Sequence, residues 1–310
     1  MEIRHNYDRA TFPEFSLSRR TWRVIYPVLL FIGTMFAVAI PFTIAAFARV
    51  YADDGVSTIG DLTEAVMLQI SGQYMLIQIL SQALTLAIML PMWLKTRTYL
   101  PKFKRRNLVP ATAIAIFAVP AVGVVSSLLW SLTGVKDPMS EAFDSALETM
   151  QEQPFLLQIL SSVVLAPLIE ELCLRGVTLN RSTYWLPKWA AVVLTAALFA
   201  AAHMNLTQGI PAMFSGAVMA VIYLRYRSIW VCIAAHLGNN LIAVIQMNYL
   251  VDSKGNLLPG ANAVEIAITV LGIIALIAIP FLKGAEPLPS AEPLHSSAAV
   301  GERVESPGEL

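Results

Sequence analysis

FLLQILSSVVLAPLIEELCL, residues 155–174, is long and apolar enough to read as one membrane-crossing helix, yet it ends on two adjacent carboxylates, Glu170 and Glu171. A hydrocarbon core takes ~20 residues of helix to cross. Ionisable groups at that depth are expensive, so their presence points to function rather than to packing. The chain around this stretch is of the same kind. Further apolar runs lie at Val24–Ala48, Tyr74–Leu94, Leu108–Leu132, Trp189–Met204, Ile210–Leu224, Ile229–Met247 and Ala263–Leu282. Together they predict an all-α, multi-pass transmembrane bundle of about eight spans, a single integral domain over residues 1–283. The fifth and sixth runs are short and joined only by Asn205–Gly209, so this pair could form a hairpin that stops short of the far surface.

Composition agrees. The 310 residues are 56% hydrophobic and 14% charged, too little charge to cover a soluble domain of this size. The formal net charge is zero, which gives no sign of a nucleic-acid-binding surface. Two cysteines, Cys173 and Cys232, both inside apolar runs, make no disulfide framework and read as small apolar fillers. The first run is longer than the core of a secretory signal and lacks a small-x-small cleavage site, so it reads as an uncleaved first span.

Charge sets the expected orientation. All but Arg49, Lys136 and Lys254 of the 21 Lys and Arg fall in the N-terminal segment, the C-terminal tail, or the loops after the second, fourth and sixth runs. The positive-inside rule then places both termini in the cytoplasm, as an even number of spans requires. A multi-pass protein of the plasma membrane, with its polar core reachable from the cytoplasm, is expected. Asp137-Pro138 reads as an N-cap followed by the first helical residue. After it, Met139, Phe143, Leu147 and Met150 keep helical spacing, which predicts a short helix on the outer interface. Residues 284–310, rich in Ala, Pro, Ser and Glu, read as a disordered cytoplasmic tail. The two halves show no repeat, so a transporter built on internal symmetry finds no support.

The membrane-depth polar groups form three patterns on the fourth, fifth and seventh runs, about residues 155–245. Glu171 and Arg175 stand i,i+4 with the acid first, the favourable order for an ion pair. Arg175 is expected to neutralise Glu171 and to snorkel to the cytoplasmic surface. Glu170, ~100° around the helix, is left to face the bundle. His203 shares a helix face with Phe199, and His236 shares one with Asn240. On depth alone, His203 should lie ~20 Å and Glu170 and His236 ~10 Å from the cytoplasmic edge, so tilt or an early helix start must bring them level.

Glu170-Glu171-x-x-x-Arg175, Phe199-x-x-x-His203 and His236-x-x-x-Asn240, in this order on separate apolar helices, resemble the CAAX protease and bacteriocin-processing (CPBP, or ABI) family of intramembrane endopeptidases. The resemblance implies hydrolysis of a peptide bond in a membrane-associated protein or peptide. It implies that Glu170 and His203 activate water and that His236 and Asn240 stabilise the oxyanion, with Glu171, Arg175 and Phe199 in support. Peptide hydrolysis needs such a base and such donors.

Other readings stand beside this one. Glu170, Glu171 and Arg175 can be a structural ion-pair network, each histidine an interhelical hydrogen bond, and Asn240 helix glue. The whole can be a silent scaffold or immunity protein, or a proton-coupled transporter using the glutamates. Phe214-Ser215-Gly216 faintly suggests a serine protease but lacks the earlier glycine, and no His-Glu-x-x-His is present. No cofactor is expected. The alternative is zinc on Glu170, His203 and His236, a ligand set known in soluble peptidases. Against it, Asn240 is a poor zinc ligand, and with Glu171 taken by Arg175 no carboxylate remains as a separate base.

Overall fold

The computed structural model describes residues 16–52, 58–98, 100, 103–250 and 258–287. They form ten helices: α1 (Leu17–Tyr51), α2 (Ile59–Gly72), α3 (Tyr74–Thr98), α4 (Leu108–Leu132), α5 (Ser140–Gln151), α6 (Phe155–Ser182), α7 (Lys188–Ala202), α8 (Leu206–Tyr226), α9 (Ile229–Leu250) and α10 (Ala261–Phe281). Seven of these, α1, α3, α4, α6, α8, α9 and α10, are long and apolar enough to cross a membrane. Leu29, Phe36, Ile40 and Ile44 of α1 and Ile266, Ile273 and Ile277 of α10 stay exposed, as lipid-facing side chains should. The chain is a multi-pass membrane protein.

Two expectations about the spans need correcting. The sixth run is not short, because α8 has 21 residues. The fifth is: α7 has 15 residues, ~22 Å of helix against a core of ~30 Å. About eight spans thus become seven long helices and one short one. The cause is local. His203 caps α7, and Met204 takes a left-handed φ of 56°, which stops the helix at once. Asn205 then starts α8, its side chain accepting the Gln208 N–H at 2.7 Å.

α4 is the hub onto which α8, α9 and α10 pack. Its buried face is built from Ala111, Ala115, Ala118 and Ala121, small residues that let helices approach closely. Gly272 of α10 lies so near that an added Cβ would overlap Ala121 and the Phe117 carbonyl. On the other side α1 lies on α3, where buried Thr34 and Thr85 share a hydrogen bond of 2.6 Å. α6 runs between these groups. It continues past the expected end at Leu174, and every residue from Leu172 to Asn180 is buried. Two stretches of α6, Ile159–Leu165 and Leu172–Leu179, are wound as π-helix. Asn180 donates its amide to the Arg175 and Gly176 carbonyls (2.8 and 3.1 Å) and to the Tyr223 hydroxyl (2.7 Å), so backbone groups loosened by the wider winding keep partners.

The short helix expected after Asp137 is present as α5, but Asp137 and Pro138 do not begin it as an N-cap pair. Its N-cap is Met139. The Asp137 carboxylate is drawn to a stronger donor set. Oδ2 accepts the Leu206 and Thr207 N–H groups (2.9 and 2.8 Å) and the Thr207 hydroxyl (2.7 Å), while Oδ1 accepts the Met139 N–H (2.9 Å). A carboxylate at the α8 N-terminus also meets the positive end of the helix dipole. At the opposite end of the bundle, Phe103–Lys104 (β1) pairs antiparallel with Glu286–Pro287 (β2). Arg225 donates to the Pro280 and Leu282 carbonyls, and its own carbonyl accepts the Ala285 N–H at 2.8 Å. The chain is thus held to the bundle through Pro287, and residues 288–310 of the expected tail lie outside the described residues.

Burial opposes ionisation of Asp137, but its four donors outweigh burial and hold it below the usual carboxylate range. A lowered folded value stabilises the fold above the unfolded value of about 3.9 and ceases to do so as pH falls through the folded one. The Tm of detergent-purified Asp137→Ala should therefore fall below wild type near neutrality. That gap should close as pH drops below about 4; a gap independent of pH would remove the carboxylate from the account.

Candidate active site

Glu171 lies at the centre, with its side chain 0% exposed. One oxygen, Oε1, accepts Arg175 Nη1 at 2.7 Å and His236 Nδ1 at 2.9 Å. The helical spacing that predicts the Glu171–Arg175 pair is realised, but Arg175 does not snorkel to the surface. It is 2% exposed, turned across to α8, and donates Nη2 to the Gly216 carbonyl at 2.9 Å. Two features account for this. α6 stays buried beyond Arg175, leaving no short route to water. Gly216 has no side chain where a Cβ would press on Phe199 and approach Arg175 Nη2. The guanidinium also stands over the Phe199 ring, 5.3 Å from its centroid.

His236 joins the two acids. Nδ1 meets Glu171, and Nε2 lies 3.5 Å from Glu170 Oε2. Glu170 faces a less enclosed space, its side chain 16% exposed. Adjacent residues ~100° apart on one helix thus present carboxylates to opposite nitrogens of one ring. The sequence reading paired Glu170 with His203; in the structure the histidine beside Glu170 is His236.

His203 sits just past the end of α7. Its Nδ1 is 2.9 Å from the Phe199 carbonyl. A carbonyl only accepts, so this nitrogen carries the hydrogen, and in the neutral ring Nε2 keeps its lone pair. Phe199 packs edge-on against both histidines, with centroids 4.8 Å from His203 and 5.8 Å from His236. It is the spacer between them. Phe199 lies ~16 Å along α7 and His236 ~10 Å along α9, and their ring contact brings these two positions level.

Asn240 donates Nδ2 to the Ser162 carbonyl at 2.8 Å and accepts the Asn239 amide on Oδ1 at 3.1 Å. The structure therefore gathers Glu170, Glu171, Arg175, Phe199 and His236 into one connected cluster, with His203 against Phe199 and Asn240 one turn from His236. Ser215 only approaches the Val119 carbonyl, at 3.4 Å. The cysteines are buried and free. Among the described residues no three His, Cys, Asp or Glu side chains form a set that could hold a metal ion. In both histidines it is Nδ1 that is committed, to backbone in His203 and to Glu171 in His236, so Nε2 is the nitrogen left for chemistry.

Gly216, Asn239 and the Ser162 carbonyl escape sequence reasoning. The first is one of 16 glycines, and nothing in one chain marks it as the acceptor for Arg175. Asn239, beside Asn240, is the only one with a visible signal: a second amide in the same apolar helix.

Residues 152–242 match the family model described as "Rce1-like: Type II CAAX prenyl endopeptidase Rce1-like". The match takes in α6 through most of α9 and so includes Glu170, Glu171, Arg175, Phe199, His203, His236 and Asn240. Comparison with curated proteins and with solved structures finds no match.

Breaking the buried pair from one side leaves an uncompensated charge, at a cost of about 3–5 kcal/mol. Arg175→Met and Glu171→Leu should each lower Tm sharply. Their combination should recover much of that loss, because apolar residues can replace a buried pair. A double variant as unstable as the worse single one would show that the pair is not the unit described.

Proposed function

With residues 152–242 forming a domain of the Rce1-like type II CAAX prenyl endopeptidase family, we propose that the chain is an intramembrane endopeptidase. Its substrate is a membrane-associated protein or peptide. The observation that carries this reading is His236 held between two carboxylates, one fully buried and ion-paired, the other open to the site. A purely structural network has no need of the second acid in the less enclosed position.

In the proposed reaction Glu170 takes a proton from water as the water oxygen bonds to the scissile carbonyl carbon. His203, its Nδ1 hydrogen committed to the Phe199 carbonyl, presents Nε2 as the second acceptor that orients that water. Negative charge moves to the carbonyl oxygen. His236, with Nδ1 donating to Glu171, stabilises it from Nε2, and Asn240 supplies an N–H beside it. When the C–N bond breaks, Glu170 returns its proton to the departing amine, and the sum is addition of one water across one peptide bond. Glu171 and Arg175 fix the His236 ring and touch no substrate. No step requires a metal ion.

The excess of Lys and Arg in the N-terminal segment and even-numbered loops supports cytoplasmic termini and a site reached from the cytoplasm of the plasma membrane. Cysteine at Asp144 should label from outside intact cells, and cysteine at Lys104 should not. The reverse pattern would invert this orientation.

Comparative proteomics of membrane-protein C-termini tests the activity. New termini present with wild type should be absent with Glu170→Gln, although the variant folds. Identical termini from both strains would end the peptidase reading. On a peptide identified in this way, Asn240→Ala should lower turnover on the order of 10²–10³-fold, the usual effect of losing one oxyanion donor. A strong chelator should leave turnover unchanged; loss to chelator with rescue by zinc would reassign Glu170, His203 and His236 as ligands.

A further inference from the structure

Asn240 is held by a carbonyl that its own helix cannot use. In the first π-wound stretch of α6, Ile159–Leu165, carbonyls look to the N–H five residues on, and α-winding resumes at Ala166. The Ala166 N–H follows this pattern and bonds the Ser161 carbonyl. That choice removes the only α-type partner of Ser162, four residues away. The π-type partner is residue 167, which is proline and has no N–H. The Ser162 carbonyl is therefore an orphan inside an apolar helix, where an unmet acceptor is costly. Asn240 Nδ2 fills the need at 2.8 Å from α9. The neighbouring Ser161 carbonyl takes a second lateral donor, Gln82 Nε2 of α3, at 3.2 Å.

This contact decides how the Asn240 amide sits. A backbone carbonyl accepts only, so the NH₂ must face Ser162 and the oxygen must face away. Asn239 secures the other side by donating to Asn240 Oδ1 at 3.1 Å. An asparagine amide has two N–H donors and one oxygen. The oxygen and one donor are thus committed, and one donor remains, a helical turn from His236.

We propose that Pro167 is a positioning residue that acts through Asn240: by withholding an N–H from Ser162 it makes that carbonyl a socket for the Asn240 amide and leaves one N–H for the oxyanion. Pro167 touches no reacting atom. The proposal rests on the peptidase reading above for its catalytic meaning, but the link between Pro167 and the amide does not. Restoring an N–H at residue 167 gives the Ser162 carbonyl a partner in its own helix. It should then release Asn240 without weakening the helix, since alanine suits a helix interior better than proline.

The experiment uses full-length protein in detergent micelles with isotope-labelled asparagine, the Asn240 side-chain amide signals being identified by their loss in Asn240→Ala. In Pro167→Ala those signals should move upfield and exchange faster with solvent. Unmoved signals would overturn the proposal. Should alanine disturb folding, Pro167→Val supplies the same N–H and is read in the same way. Turnover is then measured on the peptide identified by the C-terminal comparison. Pro167→Ala should lower kcat roughly 10–10²-fold with KM unchanged, as misplacing a catalytic donor does. The double variant should be no slower than Asn240→Ala alone, whereas losses that multiply would mean that Pro167 acts elsewhere. If Asn240→Ala keeps full turnover, the oxyanion assignment fails and Pro167 loses its catalytic meaning. If Asn240→Ala is slow while Pro167→Ala is as fast as wild type, the oxyanion role of Asn240 stands and the positioning role of Pro167 fails.

Discussion

One carboxylate oxygen, Glu171 Oε1, holds both Arg175 and His236, and the core of the bundle is arranged to allow it. Taking these charges out of water is costly, and their attraction offsets the cost only when the geometry is close. The neighbouring helices serve that end. α6 supplies the acid and the base one turn apart, α9 brings the imidazole, and α8 offers a carbonyl at a position without a side chain. Gly216 matters here as well, because a Cβ there would press on Phe199 and come into contact with the guanidinium. The burial of the whole Leu172–Asn180 segment then follows, since exposing it would let water compete for the pair.

Around this centre, apolar packing provides proximity and polar side chains provide register. The alanine face of α4 and Gly272 of α10 bring helices close, where dispersion and small-residue contact replace the hydrophobic effect that lipid does not supply. Such contacts tolerate sliding. Asp137 does not: it ties the loop after α4 to the first two N–H groups of α8, just beyond the turn that carries His203. Asn205 makes the turn self-consistent, donating to the His203 carbonyl at 2.8 Å while accepting from Gln208. The position of His203 is thus set from both sides of a helix break.

What could be read from sequence is what depends on intrahelical spacing and on hydropathy. Six of the seven long helices, the short helix α5 and the Glu171–Arg175 pair all follow from rules that act within one segment. What could not be read depends on a second helix. The burial of Arg175 needs Gly216, 41 residues away. The capture of Asp137 by α8 needs donors 69 and 70 residues on. The length of α8 was missed because Asn205, Thr207 and Gln208 lower its hydropathy at the start, although the first is its N-cap. The pairing of Glu170 with His236 rather than His203 depends on how α6 and α9 pack against each other, which no spacing within one helix reveals.

The same geometry constrains how the proposed roles can coexist. Nδ1 of His236 faces a buried carboxylate that already accepts from Arg175, so this nitrogen carries a hydrogen in either charge state of the ring. The variable proton belongs to the other side, between Nε2 and Glu170 Oε2 at 3.5 Å. With that proton on Glu170, the carboxyl cannot take one from water and Nε2 has none to offer an oxyanion, so both functions fail together. With the proton on His236, Glu170 is a free base and Nε2 is a donor, so both are available at once. Base and oxyanion donor are therefore two faces of one protonation state, shared by a pair that Glu171 and Arg175 hold in register. Glu171, which touches no substrate in this scheme, accepts the Nδ1 hydrogen and so fixes which edge of the ring faces Glu170. In the proposed scheme the acid that looks redundant in the sequence holds the ring that its neighbour faces.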